Sequence, residues 1–226
     1  MITGRATHAA VVREWILADG VIAIFRGVPP DTVLGLAADL VADGVRELEV
    51  PLTEPAALKG IAALREALDG RALVGVGSVG TVEDVRGSTG AGAEFVVSAG
   101  FFDAVAEACL AEDLLYPPGM LSASEVGRAL VDGFDLLKLF PAGPVGPRWL
   151  AALLGPYPDA KFIAVGNLDE QGLLDALDAG AVGSRSAPQS SGCPDRSWPG
   201  SWTGCARATA RSFRPRRDQR RPHGDH

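Results

Sequence analysis

The chain has 226 residues, 47% of them hydrophobic, enough for one large domain or two small ones with a substantial core, which excludes a disordered chain and a stapled miniprotein. Only 6% are aromatic while 28 are glycine and 16 proline, so turns recur often, and no run of 18 apolar residues exists that could span a bilayer. The formal charge of -7 divides unevenly: the first 183 residues carry -13 and residues 184–226 carry +6.

The opening segment, MITGRATHAAVVREWILADG, lacks an apolar stretch followed by a small-residue cleavage site, so no secretory signal is expected and the expected location is the cytoplasm. From Val21 onward a short apolar run recurs about every 20 to 25 positions. In order these are VIAIF from Val21, VRELEV from Val45, RALVGVG from Arg71, EFVV from Glu94, LLYPPG from Leu114, LLKLF from Leu136, KFIAVG from Lys161 and AVG from Ala181, eight in all. Most follow a turn signal in which glycine tolerates the positive φ that ends a helix: Asp19-Gly20, Asp43-Gly44, Asp69-Gly70, Asp132-Gly133 and Ala179-Gly180. The intervening segments have helical spacing, with Val33, Leu36, Leu40 and Val41 on one face and Ile61, Leu64 and Leu68 on the next.

Near-continuous apolar strands alternating with helices predict a parallel sheet buried on both faces, and eight such units within 183 residues predict an α/β fold of the (β/α)8 barrel type. An open doubly wound sheet is the rival. The run VGVGSVG follows a predicted strand but lacks the G-x-G-x-x-G spacing and a suitably placed acidic residue, so it is not read as a dinucleotide fingerprint.

Residues 1–183 form the expected barrel, and 184–226 a separate low-complexity tail with nine arginines and no Val, Ile, Leu or Met. Such a composition is expected to be disordered and unable to serve as the eighth helix. Its abrupt onset suggests a frameshift or gene-model error, and the rival is an arginine-rich arm for nucleic acid.

The three cysteines, Cys109, Cys193 and Cys205, have no metal-ligand spacing, and Cys109 is expected in the core. His8, His223 and His226 all lie toward the ends, so neither a histidine base nor a histidine-held metal is expected in the body. Lysine occurs only as Lys59, Lys138 and Lys161.

Lys138 stands between Leu137 and Leu139 near the C-terminal end of the predicted sixth strand, where barrel active sites lie. Burying an ammonium costs several kcal/mol unless it is paired or deprotonated. A desolvated lysine has a lowered pKa and attacks ketones to form a Schiff base, and the alternative is a structural ion pair. Glu49, between Leu48 and Val50 near the end of the second strand, is the expected proton carrier or else the lysine's ion-pair partner; Glu47, nearer the strand start, is read as structural. Arg26, ending VIAIFRG at the same rim, offers a fork for carboxylate or phosphate, or is a solvated loop arginine.

With LLKLFPA around the lysine and ELEVPL around the glutamate, the chain resembles the class I aldolases of 2-keto-3-deoxy-6-phosphogluconate and 2-keto-3-deoxy-6-phosphogalactonate. IAIFRGVPPD, ALVGVGS, FVVSAG, YPPGMLSASE, VGPRWLAAL and FIAVGNLDE extend the resemblance from about Val21 to Gly183. The first strand, the proline in Glu49-Val50-Pro51 and the run Val145-Gly146-Pro147 are closer to the phosphogalactonate branch.

The resemblance implies that Lys138 forms the Schiff base, Glu49 moves protons, Arg26 contacts the substrate, and Ser78 stands in for a threonine that helps hold the pyruvate carboxylate. It implies a homotrimer acting on a phosphorylated keto-deoxy sugar acid, without metal or cofactor and with no nucleic acid or membrane partner. At the phosphate end the chain departs from the family: Gly166-Asn167 replaces two glycines after the seventh strand, and Gly183-Ser184 is the expected remnant of the second phosphate loop. Ser98-Ala99-Gly100 replaces a run that often holds proline. The expected reaction is cleavage of 2-keto-3-deoxy-6-phosphogalactonate to pyruvate and glyceraldehyde 3-phosphate. The rivals are the same chemistry on the phosphogluconate epimer or an unphosphorylated acid, and an impaired or merely ligand-binding barrel.

Overall fold

The computed structural model describes residues 7–28, 30–54 and 56–186. Its strands are β1 (Val21–Ile24), β2 (Glu47–Pro51), β3 (Leu73–Gly77), β4 (Gly119–Met120), β5 (Leu136–Leu139), β6 (Lys161–Val165) and β7 (Gly183–Ser186). They form one parallel sheet in the order β3-β2-β1-β7-β6-β5-β4.

The gap between β3 and β4 is closed by residues 94–97, which bridge to both neighbours: Val76 pairs with Val96 and Phe95 with Leu115. Hydrogen bonds from the Val76 amide to the Phe95 carbonyl (2.9 Å), from Val97 to Val76 (2.8 Å) and from Val96 to Leu115 (2.9 Å) complete the ring. The arrangement is a barrel of eight staves, one of them held by bridges alone, rather than the open sheet. The fifth stave is interrupted because Pro117 and Pro118 have no N–H to donate, so pairing appears as a bridge at Leu115 and resumes at Gly119.

Helices α1 (His8–Asp19), α2 (Pro30–Ala42), α3 (Ala57–Leu68), α4 (Val82–Gly90), α5 (Asp103–Ala111), α6 (Ala123–Val131), α7 (Ala142–Val145), α8 (Pro147–Leu154) and α9 (Glu170–Asp178) alternate with the staves. All five glycines of the expected helix-ending pairs have positive φ, from 68° at Gly20 to 111° at Gly180. Ile61, Leu64 and Leu68 are buried as their spacing predicts, whereas the α2 face centres on Val33, Ala37 and Leu40 with Leu36 and Val41 at its margin. Among the described residues no helix is long and apolar enough to cross a membrane.

Strand alternation sorts the core into an outer shell and an interior. Leu48, Val50, Val74 and Val76 pack outward against α2, α3 and α4, and Leu137, Leu139, Phe162 and Ala164 do the same against α6, α8 and α9. Ile22, Ile24, Leu73, Phe95, Val97, Leu115, Leu136, Ile163 and Val165 fill the inside. Val12 and Ile16 of α1 join this inner cluster, so α1 plugs the end of the ring at which the strands begin. Gly75 faces inward too: a Cβ there would overlap the Phe95 ring, so the missing side chain is what lets the bridge stave fill the interior.

The last strand lies later than expected. The last apolar run, AVG from Ala181, lies mostly before its strand, which starts at Gly183 and continues through the polar residues to Ser186. Backbone pairing with β1 and β6 on both sides holds this stave, and hydropathy does not register such pairing. The barrel therefore continues three residues past the boundary expected at Gly183. The expectations for the arginine-rich tail, from its disorder to the frameshift and the nucleic-acid arm, otherwise lie outside the described residues, as do Cys193 and Cys205. Cys109 is buried in the α5 interface, where burial pushes its thiol up to about 12.

Candidate active site

Lys138 occupies the interior face of β5, because its neighbours Leu137 and Leu139 pack outward. It is only 6% exposed, and its Nζ lies 4.7 Å from the centre of the Phe140 ring, two residues on along the same face. Phe140 in turn sits beneath Gly166, where an added Cβ would come within 2.8 Å of the ring.

Glu49 projects inward from β2 for the same reason, between the outward Leu48 and Val50, and is 2% exposed. Its carboxyl occupies the space above Gly77, where a Cβ would overlap Oε1. The glycines of VGVG on β3 thus clear the barrel for two groups, Gly75 for Phe95 and Gly77 for the Glu49 carboxyl. The sequence marks that run as a strand lacking the dinucleotide fingerprint and carrying Ser78 at its end, not as clearance for other side chains. The alternation of valine and glycine is the signal that could have revealed it.

Arg26 follows Phe25, whose amide donates to the Glu49 carbonyl at 2.9 Å and ties the end of β1 to β2. Its Nη1 donates to Thr53 Oγ1 and its Nη2 to Ser78 Oγ, each at 3.4 Å. Ser78 has φ 61°, a left-handed conformation uncommon for a non-glycine residue. The next residue fixes that turn: the Val79 amide donates to the Val97 carbonyl, and the Val79 carbonyl accepts from Ser98 Oγ at 2.7 Å. Ser98 is fully buried, and the Ala99 carbonyl beside it lies where Gly119 would carry a Cβ. The Ser98 hydroxyl thus has a structural use, and the close approach of the Ala99 backbone accounts for glycine at 119. The sequence did not mark Thr53 or Ser98 as part of the site, since they reach it only through the tertiary fold, nor Phe140, which strand alternation from Lys138 could have revealed.

Glu47 lies two residues before Glu49 on the same inward face, at the closed end of the barrel. It is fully buried, and neither carboxyl oxygen has a hydrogen-bond partner among the described residues. Burial pushes its carboxyl well above the usual carboxylate range, and the nearby charge of Asp19 adds to that push. Asp19 is engaged by Arg46 at 2.6 Å and 2.8 Å, and the Arg46 guanidinium stacks over Trp15 at 4.9 Å. The two glutamates of ELEV are thus separated by depth: Glu49 lies toward the end bearing Arg26, Glu47 against the α1 plug.

Gly166 and Asn167 follow β6 at the open end, both left-handed with φ 97° and 54°. The Gly143 amide donates to the Gly166 carbonyl at 2.9 Å, and Gly143 backs onto the Asn167 carbonyl so closely that a Cβ would overlap it. The cavity of about 340 Å³ beside Asn167 opens between α8 and α9, on the outer side of the sheet marked by Leu139 and Ala164. It does not reach the interior that Lys138 and Glu49 share.

Gly183 and Ser184 are not in a loop after the last strand. They begin β7, where Gly183 pairs with Ile163, and Ser184 with Val21 and Ala164. They do not form the open-end loop expected of them, because residues 183–186 continue the strand by backbone pairing, and the residues after Ser186 lie outside those described. The fold therefore places Lys138 and Glu49 on the interior face, joins Arg26 to Ser78 at the rim, sets Gly166 against the Phe140 ring that Lys138 faces, and leaves Gly183 and Ser184 inside the wall.

The chain matches the family model of KDPG and KHG aldolase over residues 12–190. It is 30% identical over 171 residues to the 2-dehydro-3-deoxy-6-phosphogalactonate aldolase of Escherichia coli strain K12, covering 75% of this chain and 83% of the relative. It is 38% identical over 142 residues to the 2-dehydro-3-deoxy-phosphogluconate aldolase of Treponema pallidum strain Nichols, covering 62% and 67%. Among solved structures it resembles a native KDPGal structure, with TM-score 0.73 and 27% identity over 88% of this chain and 94% of the other. It also resembles the KDPG aldolase of Legionella pneumophila with pyruvate captured as a covalent carbinolamine intermediate, with TM-score 0.76 and 25% identity over 92% and 98%.

Proposed function

We propose that this chain, which belongs to the KDPG and KHG aldolase family and is a class I aldolase, splits 2-dehydro-3-deoxy-6-phosphogalactonate reversibly into pyruvate and glyceraldehyde 3-phosphate. The observation that carries the assignment of residues is an amine and a carboxyl, Lys138 and Glu49, both nearly fully buried on the interior face of one barrel.

In this reading the Lys138 amine adds to the C2 ketone, giving a carbinolamine. Loss of water, with Glu49 delivering the proton to the departing hydroxyl, leaves a protonated imine. The imine draws the C3–C4 bonding electrons toward C2 as the C4 hydroxyl gives up its proton to the Glu49 carboxylate. That step releases glyceraldehyde 3-phosphate and leaves the enamine of pyruvate on Lys138. Protonation at C3 and addition of water then return the lysine and release pyruvate.

Arg26 and Ser78 are assigned to the substrate carboxylate, since a guanidinium and a hydroxyl held together at the rim match a planar anion. Gly166 and Asn167 are assigned to the phosphate end, because they follow β6 with positive φ, the kind of backbone that can form an anion-binding nest. The phosphogalactonate epimer is favoured by the proline following Glu49-Val50 and by the run Val145-Gly146-Pro147, both closer to that branch. A cytoplasmic location belongs to the same proposal, because a phosphorylated acid does not cross a bilayer unaided, and so does the homotrimer that the family resemblance implies.

Borohydride trapping of the purified chain with pyruvate, followed by peptide mass spectrometry, tests the nucleophile. An adduct on Lys138 that disappears in Lys138→Ala is the expected outcome, and an adduct elsewhere overturns the assignment. Kinetics on both phosphorylated epimers test the substrate, where a higher kcat/KM for the gluconate epimer would reverse the choice.

A further inference from the structure

Three loops meet at the open end of the barrel. The loop after β1 carries Arg26 and Gly27, the loop after β2 carries Thr53 and Glu54, and the loop after β3 carries Ser78. Both hydrogen bonds of Arg26 go to neutral hydroxyls and both are long, at 3.4 Å; among the described residues Arg26 makes no ion pair. A carboxylate lies on the facing loop, yet it is used differently: Glu54 Oε1 accepts the Gly27 amide at 3.1 Å.

Gly27 has φ 68°, so the backbone directly after Arg26 is in a turn that other residues enter only with strain. What fixes that turn fixes the direction in which Arg26 leaves it. A carboxylate accepting a backbone amide is a charge-assisted bond, stronger than a neutral one. It also occupies the carboxylate that could otherwise pair with Arg26 and compete with an anionic substrate.

We propose that Glu54 is a positioning residue: by holding the Gly27 amide it aims the Arg26 guanidinium, uncommitted to any protein carboxylate, at the carboxylate of the substrate. The inference rests on the role given to Arg26 in the proposed function. Nothing in the sequence marks Glu54, since a glutamate in a polar loop is the commonest of surface residues.

Full-length Glu54→Ala and Glu54→Gln test it, the first removing the acceptor and the second keeping an oxygen in its place without the charge. In Glu54→Ala, hydrogen exchange of the peptide spanning residues 25–28 is expected to accelerate. KM for the sugar acid is expected to rise about fivefold to tenfold while kcat stays within about twofold, the pattern of lost ground-state binding. Glu54→Gln is expected to restore both readouts to near wild type. Unchanged exchange in Glu54→Ala overturns the inference, as do a fall in kcat at constant KM and a glutamine variant as impaired as the alanine. A lowered thermal midpoint that tracks the KM change in both variants overturns it in favour of a structural role. If the wild-type chain turns over neither epimer, the proposed function fails, and the exchange comparison alone decides whether Glu54 holds Gly27.

Discussion

Replacing Glu47 by glutamine removes one titration from the barrel interior and leaves the shape almost unchanged. In the unfolded chain this carboxyl titrates at about 4.3. In the folded chain burial, and then the Asp19 charge, hold its proton well above that value, and neither oxygen has a hydrogen-bond partner among the described residues. Above the ordinary carboxylate range the folded chain therefore binds one proton more than the unfolded chain. Stability from this group is complete at low pH and is lost as pH rises toward the raised value, at about 1.4 kcal/mol per pH unit. Urea denaturation followed by circular dichroism at pH 5, 5.5 and 6 measures the slope. Over that single unit the wild type should lose stability relative to Glu47→Gln, by up to about 1.4 kcal/mol, with equal m values. Glu47→Leu, which removes the desolvated polar group altogether, should exceed the wild type by about 1 to 3 kcal/mol. Parallel stability curves for wild type and Glu47→Gln would refute the reasoning, because they would mean that Glu47 ionises as an ordinary carboxyl.

Gly77→Ala places a methyl on the Glu49 carboxyl, so kcat should fall about 100-fold, as for a reacting group displaced by about an ångström, with the Lys138 adduct still trapped by borohydride. Gly75→Ala crowds Phe95 instead and should cost about 1 to 3 kcal/mol of stability by urea denaturation. Ser98→Ala leaves the buried Val79 carbonyl without its side-chain donor, and a loss of about 1 to 3 kcal/mol is expected by the same measurement. Glu49→Gln should lower kcat by about 100-fold to 10,000-fold while the chain melts near the wild-type temperature, checked by coupled assay and calorimetry.

Much of this protein can be read along the chain, because the information is local. Strand period, helix period and helix-ending glycines depend on neighbours a few residues apart, so seven of the eight staves lie at or beside their apolar runs. Lys138 and Glu49 stand out for the same reason, as charged residues between apolar neighbours on strands that must be buried on both faces. The shift of β7 past its apolar run was not legible, since residues 184–186 are held by backbone pairing to β1 and β6 and carry no hydropathy signal. Glu47 and Glu49 are told apart in the sequence by position along the strand; what it does not show is the surroundings that follow from that depth, Glu47 lying against the α1 plug with Asp19 nearby. The clearance at Gly75 and Gly77, the support of the Ser78 turn by Ser98, and the Glu54 bond to Gly27 join residues between 19 and 28 positions apart. Contacts of that kind exist only in the tertiary structure: parallel pairing of β1, β2 and β3 brings the loops after them to one end, and the bridges of residues 94–97 add the Phe95 and Ser98 contacts.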